Sequence, residues 1–207
     1  MHVWPASRIL GLAALKRNHS LKGSAGKAKR SRTREIECLC SLESLRSSCS
    51  SLVHQAEVIA VGTVSDIREQ WDDTRKAPLT LVTFSNLTVL KGSPGENFTL
   101  EFLGGSLPNG LVMRVSGVPQ FVVGEKAVVF CAGNHRDFAP LVGVWQGLLR
   151  VTVDPQRGVE TVSDNSHIPI GKIQNGKFVK MTAQDSSQET LSLPTLLQMI
   201  SQELANL

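Results

Sequence analysis

The chain is poor in aromatic side chains and has no tyrosine. Its 207 residues include only 7 Phe and 3 Trp, whereas single-stranded nucleic acids are bound largely by stacking of bases on aromatic rings. Nine of the 22 Lys and Arg lie in residues 1–34, which contain no acid, so thirteen Lys and Arg stand against 18 Asp and Glu from Glu35 onward. The basic charge therefore belongs to an N-terminal segment. The remainder carries a net charge of −5 and does not indicate a nucleic-acid-binding face.

Long apolar runs are also lacking in the N-terminal segment. Its only such stretch is 9–15, which is far shorter than the roughly 20 residues of a membrane-spanning helix. Lys16 and Arg17 follow where a signal peptide would have small residues. The sequence therefore predicts no membrane span and no standard signal peptide. Residues 1–37 are interpreted as a basic leader that is disordered, is a targeting segment or a nucleic-acid-binding arm, or arises from a wrongly assigned start codon.

Residues 38–207 are expected to form a single domain, because domains usually contain about 100–200 residues. The hydrophobic fraction of 41% is enough for a packed core. Between Ser41 and Ala56, apolar residues recur at spacings of three and four, which predicts a helix that Ser41 could cap. A second helix is predicted after Ser192, with Pro194 in its first turn.

Between these helices the pattern is that of strands without intervening helices. Glycine and proline punctuate the β-branched and alternating runs, and Gly62 indicates a bulge in the first of them. This order predicts a mainly β fold, a small closed OB-like barrel of five or six strands, with a compact sandwich as the alternative. Val61, Val128 and Phe130 are expected in its core. The predicted strands are 57–71, 79–90, 97–103, 111–118 with 121–123, 126–132 and 141–153.

Motifs for cofactors and metals are lacking as well. The pair Cys38 and Cys40 is followed only by isolated His54, His135 and His167, which does not match the spacing of a zinc site. The glycine-rich segments do not have the spacing of a phosphate-binding loop. We therefore expect no metal and no cofactor.

Two further groups of residues have two readings each. His135, Arg136 and Asp137 could supply part of a catalytic site, but neighbouring turn residues point in different directions, which favours a solvated loop. Trp71 and Trp145 lie near predicted strand ends. There a large aromatic residue can either plug the mouth of a barrel or contact a partner.

Several segments resemble a family of uncharacterised, mostly exported bacterial proteins. The resemblance covers roughly residues 52–153 and rests mainly on AEVIAVGTV at 56–64, VLKG at 89–92 and the glycine pair at 104–105. It implies an extracytoplasmic location. The order of Cys38-Leu39-Cys40 before the first strand is also similar, more weakly, to the netrin-like domain of tissue inhibitors of metalloproteinases, an OB-type barrel. In that family the first cysteine is N-terminal, and its amine and carbonyl chelate the zinc of a protease.

The chain departs from this second family in two respects. Cys38 is preceded by 37 residues, and there are only 4 cysteines, so the multi-disulfide framework is missing. If the leader comes from a wrongly assigned start codon, the resemblance to an exported family implies an oxidising compartment, where Cys38 or Cys40 could pair with Cys131. Alternatively, Cys49 and Cys131 are reduced core residues.

The expected function is that of a non-enzymatic, exported binding module. Its partner would be a secreted protein or a protease, and its binding residues would be Cys38, Cys40, Trp71 and Trp145. The alternative is a small hydrolase whose catalytic residues come together from separate loops.

Overall fold

The computed structural model describes residues 48–182 and 189–207. This part of the chain contains one helix before and one helix after a series of strands, so the expected mainly β composition is confirmed. The helices are α1 (Cys49–Gln55) and α2 (Leu193–Ala205). The strands are β1 (Val58–Asp72), β2 (Ala77–Lys91), β3 (Phe98–Leu103), β4 (Gly105–Ser106), β5 (Val112–Met113), β6 (Lys126–Cys131), β7 (Leu148–Val153), β8 (Glu160–Ser163), β9 (Ile170–Gln174) and β10 (Lys177–Lys180).

Six strands form one antiparallel sheet in the order β3-β2-β1-β6-β7-β8, while β4 with β5 and β9 with β10 form two small ribbons. The long strand β1 lies near the centre. Its inner half, residues 58–64, pairs with β2 and also with β6 through Thr63. Its outer half, residues 65–72, pairs with β2 and extends beyond the end of β6. β1 is thus a central strand along its inner half and an edge strand along its outer half.

The predicted closed barrel is wrong, because the sheet is open and ends in β3 on one side and in β8 on the other. The physical reason is visible in β6, where side chains alternate between the two faces of the sheet. Val128 and Phe130 belong to one hydrophobic core, whereas Ala127, Val129 and Cys131 belong to a second. The sheet therefore packs against other parts of the chain on both faces.

The first core lies between the sheet and the two helices. Leu52 of α1 and Leu196 and Ile200 of α2 pack there with Val128 and Phe130. The predicted burial of Val61, Val128 and Phe130 is confirmed. Neither described helix is long and apolar enough to cross a membrane.

The helix boundaries follow from their caps. The Ser48 hydroxyl accepts a hydrogen bond from the Ser51 amide at 3.0 Å, so α1 begins at Cys49 rather than at Ser41. Residues 41–47 lie outside the described part of the chain. For α2 the predicted start is confirmed, because the Ser192 hydroxyl accepts from the Thr195 amide and a proline occupies the first turn.

The second core lies on the opposite face and is covered by loops. Phe121 packs against Phe84 and Phe102, with ring centroids 5.9 Å and 5.3 Å apart. Residues 121–123 are therefore not the predicted strand, since Phe121 anchors a loop to the core. Of the strand predicted at 111–118, only Val112–Met113 pairs, and it does so with β4.

The strand predicted from 141 starts seven residues later. Gly143 and Val144 have φ angles of 63° and 66°, which turn the chain before β7 begins at Leu148. Gly147 is required at this turn, because a β-carbon there would lie 2.7 Å from the Phe130 carbonyl oxygen. Trp145 consequently lies in a turn and not in a strand.

Loops also cover the two edges of the open sheet. At β3, the Glu101 amide donates to Asn134 Oδ1 at 3.1 Å, and Asn134 Nδ2 donates to the Thr99 carbonyl at 2.8 Å. The Leu103 amide donates to the Phe138 carbonyl at 2.8 Å. At β8, the segment before α2 pairs in a similar way, as Val162 donates to Leu191. Because loops already satisfy backbone groups of β3 and β8, these two strands do not have to pair with each other and close a barrel.

Candidate functional site

A groove of about 770 Å³ lies between the loop that precedes β6 and the hairpin of β7 and β8. The sequence folds this way locally because Phe121 holds the loop on the second core, while β7 pairs with β6. Apolar side chains line much of the groove, namely Val118, Pro119, Val122, Val151 and Val153.

Arg150 forms the floor of this groove and is only 5% exposed. Its guanidinium donates to the Gln120 carbonyl at 2.7 Å on one wall and to the Asn165 carbonyl at 3.0 Å on the other. It also bonds the Asn165 side chain at 3.1 Å and forms an ion pair with Glu125. Because these partners satisfy the guanidinium, Arg150 fixes both walls and does not offer a free charge to a ligand.

Two valines at the rim of the groove face solvent. Val122 is 68% and Val153 is 60% exposed. Val122 is held in a tight turn, since its carbonyl accepts from the Glu125 amide at 3.0 Å. Lys126 and Glu160 also line the groove and form an ion pair at 2.6 Å. The groove thus combines an apolar rim with charges that are already paired, an arrangement suited to apolar side chains of a partner.

Trp145, a predicted binding residue, lines a separate cavity of about 50 Å³. This cavity is mostly apolar, and Asn165 belongs both to it and to the groove. Trp145 is half-buried, so it neither plugs a barrel nor lies free on the surface. The cavity also includes Leu52, Leu148, Leu149, Ile170 and Phe178.

An ion pair of Asp164 and Lys180 lies at the polar side of the Trp145 cavity. Oδ1 of Asp164 accepts hydrogen bonds from the amides of Ser166 and Ile168 at 2.8 Å and 2.9 Å. Oδ2 is buried and contacts the Lys180 ammonium group. The carboxylate therefore orders the loop that also places Asn165 beside Arg150.

The other predicted binding residues lie elsewhere. Trp71 is at the end of β1, is 37% exposed, and belongs to neither core. Cys38 and Cys40 fall outside the described residues. The structure therefore places Trp71 and Trp145 in different surroundings, and the groove around Arg150 contains neither of them.

A histidine and a carboxylate do come together on the β3 side of the sheet. His135 Nδ1 lies 2.8 Å from Glu101 Oε1, and the Arg75 guanidinium donates to the His135 carbonyl at 2.5 Å. The His135 side chain is 64% exposed, and this residue lines neither the groove nor the Trp145 cavity. The pair therefore lies apart from both of these spaces, and a substrate held in either of them would not reach it.

The residues next to His135 point to other partners. Arg136 forms an ion pair with Glu57, and this guanidinium lowers the pKa of the Glu57 carboxyl group. Asp137 packs close to Gly133 instead. The three side chains do not converge, which agrees with the predicted solvated loop.

The two described cysteines are free and buried on opposite faces of the sheet. Burial raises the pKa of Cys49 to about 11 and that of Cys131 to about 12. Both thiols are therefore protonated near neutral pH, which disfavours the thiolate form that a nucleophile needs. Within residues 48–182 and 189–207, no group of three or more His, Cys, Asp and Glu side chains could hold a metal ion.

Neither the protein-family models, nor the curated proteins, nor the solved structures compared with this chain give a match. The resemblance to an exported bacterial family therefore stays a prediction.

Sequence reasoning did not identify the groove, although β7 carried one signal. In LLRVTV at 148–153, an arginine interrupts an apolar strand. A charged residue inside such a run must find buried partners, so Arg150 marked a structured site. Its partners Gln120, Glu125 and Asn165 come from other segments, and no local pattern links them.

Proposed function

We propose that this chain is a non-enzymatic protein-binding module that holds aliphatic side chains of a partner in the groove above Arg150. The observation that supports it is the exposure of Val122 and Val153 at the rim of a groove whose two walls Arg150 joins by hydrogen bonds. Isolated exposed valines are ordinary, but two that line one groove are typical of interaction surfaces. The resemblance to exported proteins suggests a secreted partner.

The charges in the groove favour this class of partner over an ionic ligand. Arg150 is paired with Glu125, and Lys126 is paired with Glu160. A ligand that depends on charge would have to displace one of these pairs, at a cost of several kcal/mol for the buried one. Apolar side chains gain about 25 cal/mol for each Å² that they bury, and they leave both pairs intact.

A random peptide library displayed on phage tests the proposal. Peptides with an aliphatic consensus should be selected. The double variant Val122→Asp/Val153→Asp should reduce the free energy of binding of these peptides by about 2 kcal/mol or more. Leu111→Asp is the matched control, because Leu111 is 63% exposed and lies outside the groove. Equal loss in the control, or no selected peptide, would overturn the proposal.

The hydrolase alternative has one observation in its favour, the contact of His135 with Glu101. Mass spectrometry of the selected peptides after incubation with the protein separates the two functions. A binding module leaves the peptides intact. A hydrolase produces fragments, and His135→Ala abolishes that cleavage without changing the affinity.

A further inference from the structure

The outer half of β1 has a backbone edge that no other described segment pairs with. Among the described residues, β1 pairs with β6 only as far as Thr63, and the amide and carbonyl of Val64 still bond Glu125 and Gly124. Beyond that point the only ladder partner of β1 is β2. By contrast, loops cover the edges of β3 and β8.

The hydrogen bonds of β3 show which groups of β1 point away from β2. The Leu103 amide bonds Phe138, outside the sheet, so its cross-strand neighbour Leu79 points toward β1. Leu79 faces Gln70 in β1, and Gln70 therefore bonds β2. Because directions alternate along a strand, its neighbours Glu69 and Trp71 point outward.

A second pair of residues leads to the same assignment. The Glu101 amide in β3 also points out of the sheet, toward Asn134. Glu101 lies opposite Leu81 of β2, and Leu81 lies opposite Arg68 of β1. Arg68 thus bonds β2, and Ile67 points outward. No register shift occurs between Asp66 and Asp72. The amides and carbonyls of Ile67, Glu69 and Trp71 consequently form one continuous edge that has no backbone partner within residues 48–182 and 189–207.

The charges along this edge indicate what could pair with it. The outer half contains the carboxylates of Asp66, Glu69 and Asp72. Arg68 pairs with Asp66 and Arg75 with Asp72, so Glu69 is the carboxylate of this edge that has no cationic partner among the described residues. In a symmetric pairing of two copies centred on Glu69, this carboxylate would face itself and Asp66 would face Asp72. Like charges directly opposite each other are destabilising. A strand with lysine or arginine fits better.

We propose that the outer half of β1 accepts an extended segment of another protein that carries lysine or arginine, by strand addition along Ile67, Glu69 and Trp71. Only another extended backbone supplies alternating donors and acceptors at this spacing. Exposed Trp71 lies at the end of this edge and provides a face for an apolar or cationic side chain. This surface is distinct from the groove, so the inference is independent of the proposed function.

Amide hydrogen exchange of the full chain with a synthetic peptide tests it. The probe alternates lysine and valine over about eight residues, a usual strand length. The peptide should protect the amides of Ile67, Glu69 and Trp71, while those of Arg68 and Gln70 stay unchanged. The same peptide with alternate backbone nitrogens methylated should give no protection, because it cannot pair.

Two variants at one position separate the backbone from the charge. Glu69→Pro removes an outward amide that the hairpin does not use, and proline is tolerated at sheet edges. It should weaken peptide binding by about tenfold. Glu69→Ala loses the same carboxylate and its contact with Ser106 but keeps the backbone amide, so it should weaken binding by about threefold or less.

Several results would overturn the proposal. They are equal binding to the methylated peptide, equal binding to Glu69→Pro, and protection confined to the groove. Protection of the outer amides before peptide is added would also do so, because it would show that a segment of this chain or a second copy already occupies the edge. If Glu69→Pro does not fold, the methylated peptide alone decides.

Discussion

The inner and outer halves of β1 are parts of one strand with opposite surroundings. Ile59 and Val61 in the inner half are 3% exposed or less and lie between two neighbouring strands. Glu69 and Trp71 in the outer half are exposed, and in the part of the chain that the structure describes they have a neighbouring strand on one side only. The run of apolar residues ends at Val64, and charged residues follow. The comparison shows that side-chain pattern, and not strand length, decides where a strand is central.

The largest expected effect comes from removing a side chain opposite the inner half. Phe130 pairs with Ile59, is fully buried, and packs in the helix-side core. Phe130→Ala should therefore reduce the free energy of unfolding by about 3–5 kcal/mol. Trp71→Ala, in the outer half, should cost about 1 kcal/mol or less, because Trp71 belongs to neither core. Urea unfolding of both variants checks this, and similar losses would mean that the two halves do not differ in packing.

Two arginines give a second contrast. Arg150 pairs with Ala127 of β6, and Ala127 pairs with Gly62 in the inner half of β1. Arg150→Met leaves the Glu125 carboxylate without its cation, so it should reduce the free energy of unfolding by about 3–5 kcal/mol. Arg68 in the outer half forms an exposed ion pair with Asp66, so Arg68→Met should change stability by about 0.5 kcal/mol or less. Thermal and urea unfolding measure both. A small loss for Arg150→Met would show that its hydrogen bonds do not hold the groove.

Patterns along the sequence could predict four strands of the large sheet, because their signals are local. The runs that became β1, β2, β3 and β6 and the face of α2 were all recognised from apolar spacing and turn residues. The same reasoning failed for 121–123, where three apolar residues look like a strand. Their role depends on Phe84 and Phe102, which are distant in the sequence.

Barrel closure could not be judged from the sequence either. Whether a sheet closes depends on what covers its last edges, and here the Asn134 side chain and the Phe138 carbonyl cover β3. A single asparagine in a loop gives no pattern that separates an edge cover from an ordinary turn residue. The candidate groove was missed for a similar reason, since Arg150 finds its partners in two separate loops, the one before β6 and the one after β8.

Amide exchange of the free protein should distinguish the halves of β1 residue by residue. The amides of Ile59 and Val61 are expected to exchange only through large-scale opening, because they lie in the core and between two strands. The outward amides of Ile67, Glu69 and Trp71 should exchange many times faster. The amide of Gln70, which is hydrogen-bonded to β2, should exchange at an intermediate rate and serves as an internal control. Slow exchange at Glu69 would contradict the free edge.

The smallest expected effect is electrostatic and lies in the outer half. The Ser106 hydroxyl and then its amide donate to the Glu69 carboxylate, which lowers the pKa of this carboxyl group. A lowered pKa in the folded state stabilises the protein above the unfolded value of about 4.3, and this stabilisation is lost as the pH falls through the folded pKa.

Glu69→Gln should therefore reduce stability at pH 7 by no more than about 0.5 kcal/mol, because the group is exposed. The difference from the unmodified protein should disappear as the pH is lowered from about 5 to 3, since protonation removes the same interaction. Urea unfolding at several pH values measures this, with Glu96→Gln as the control for an exposed carboxylate in the turn before β3. A difference that persists at low pH would show that the side-chain amide, and not the lost charge, causes the effect. The stability of the outer half of β1 would then depend on how well the side chain at position 69 fits against Ser106, and not on its charge. The inner half likewise depends on how well its side chains pack in the core.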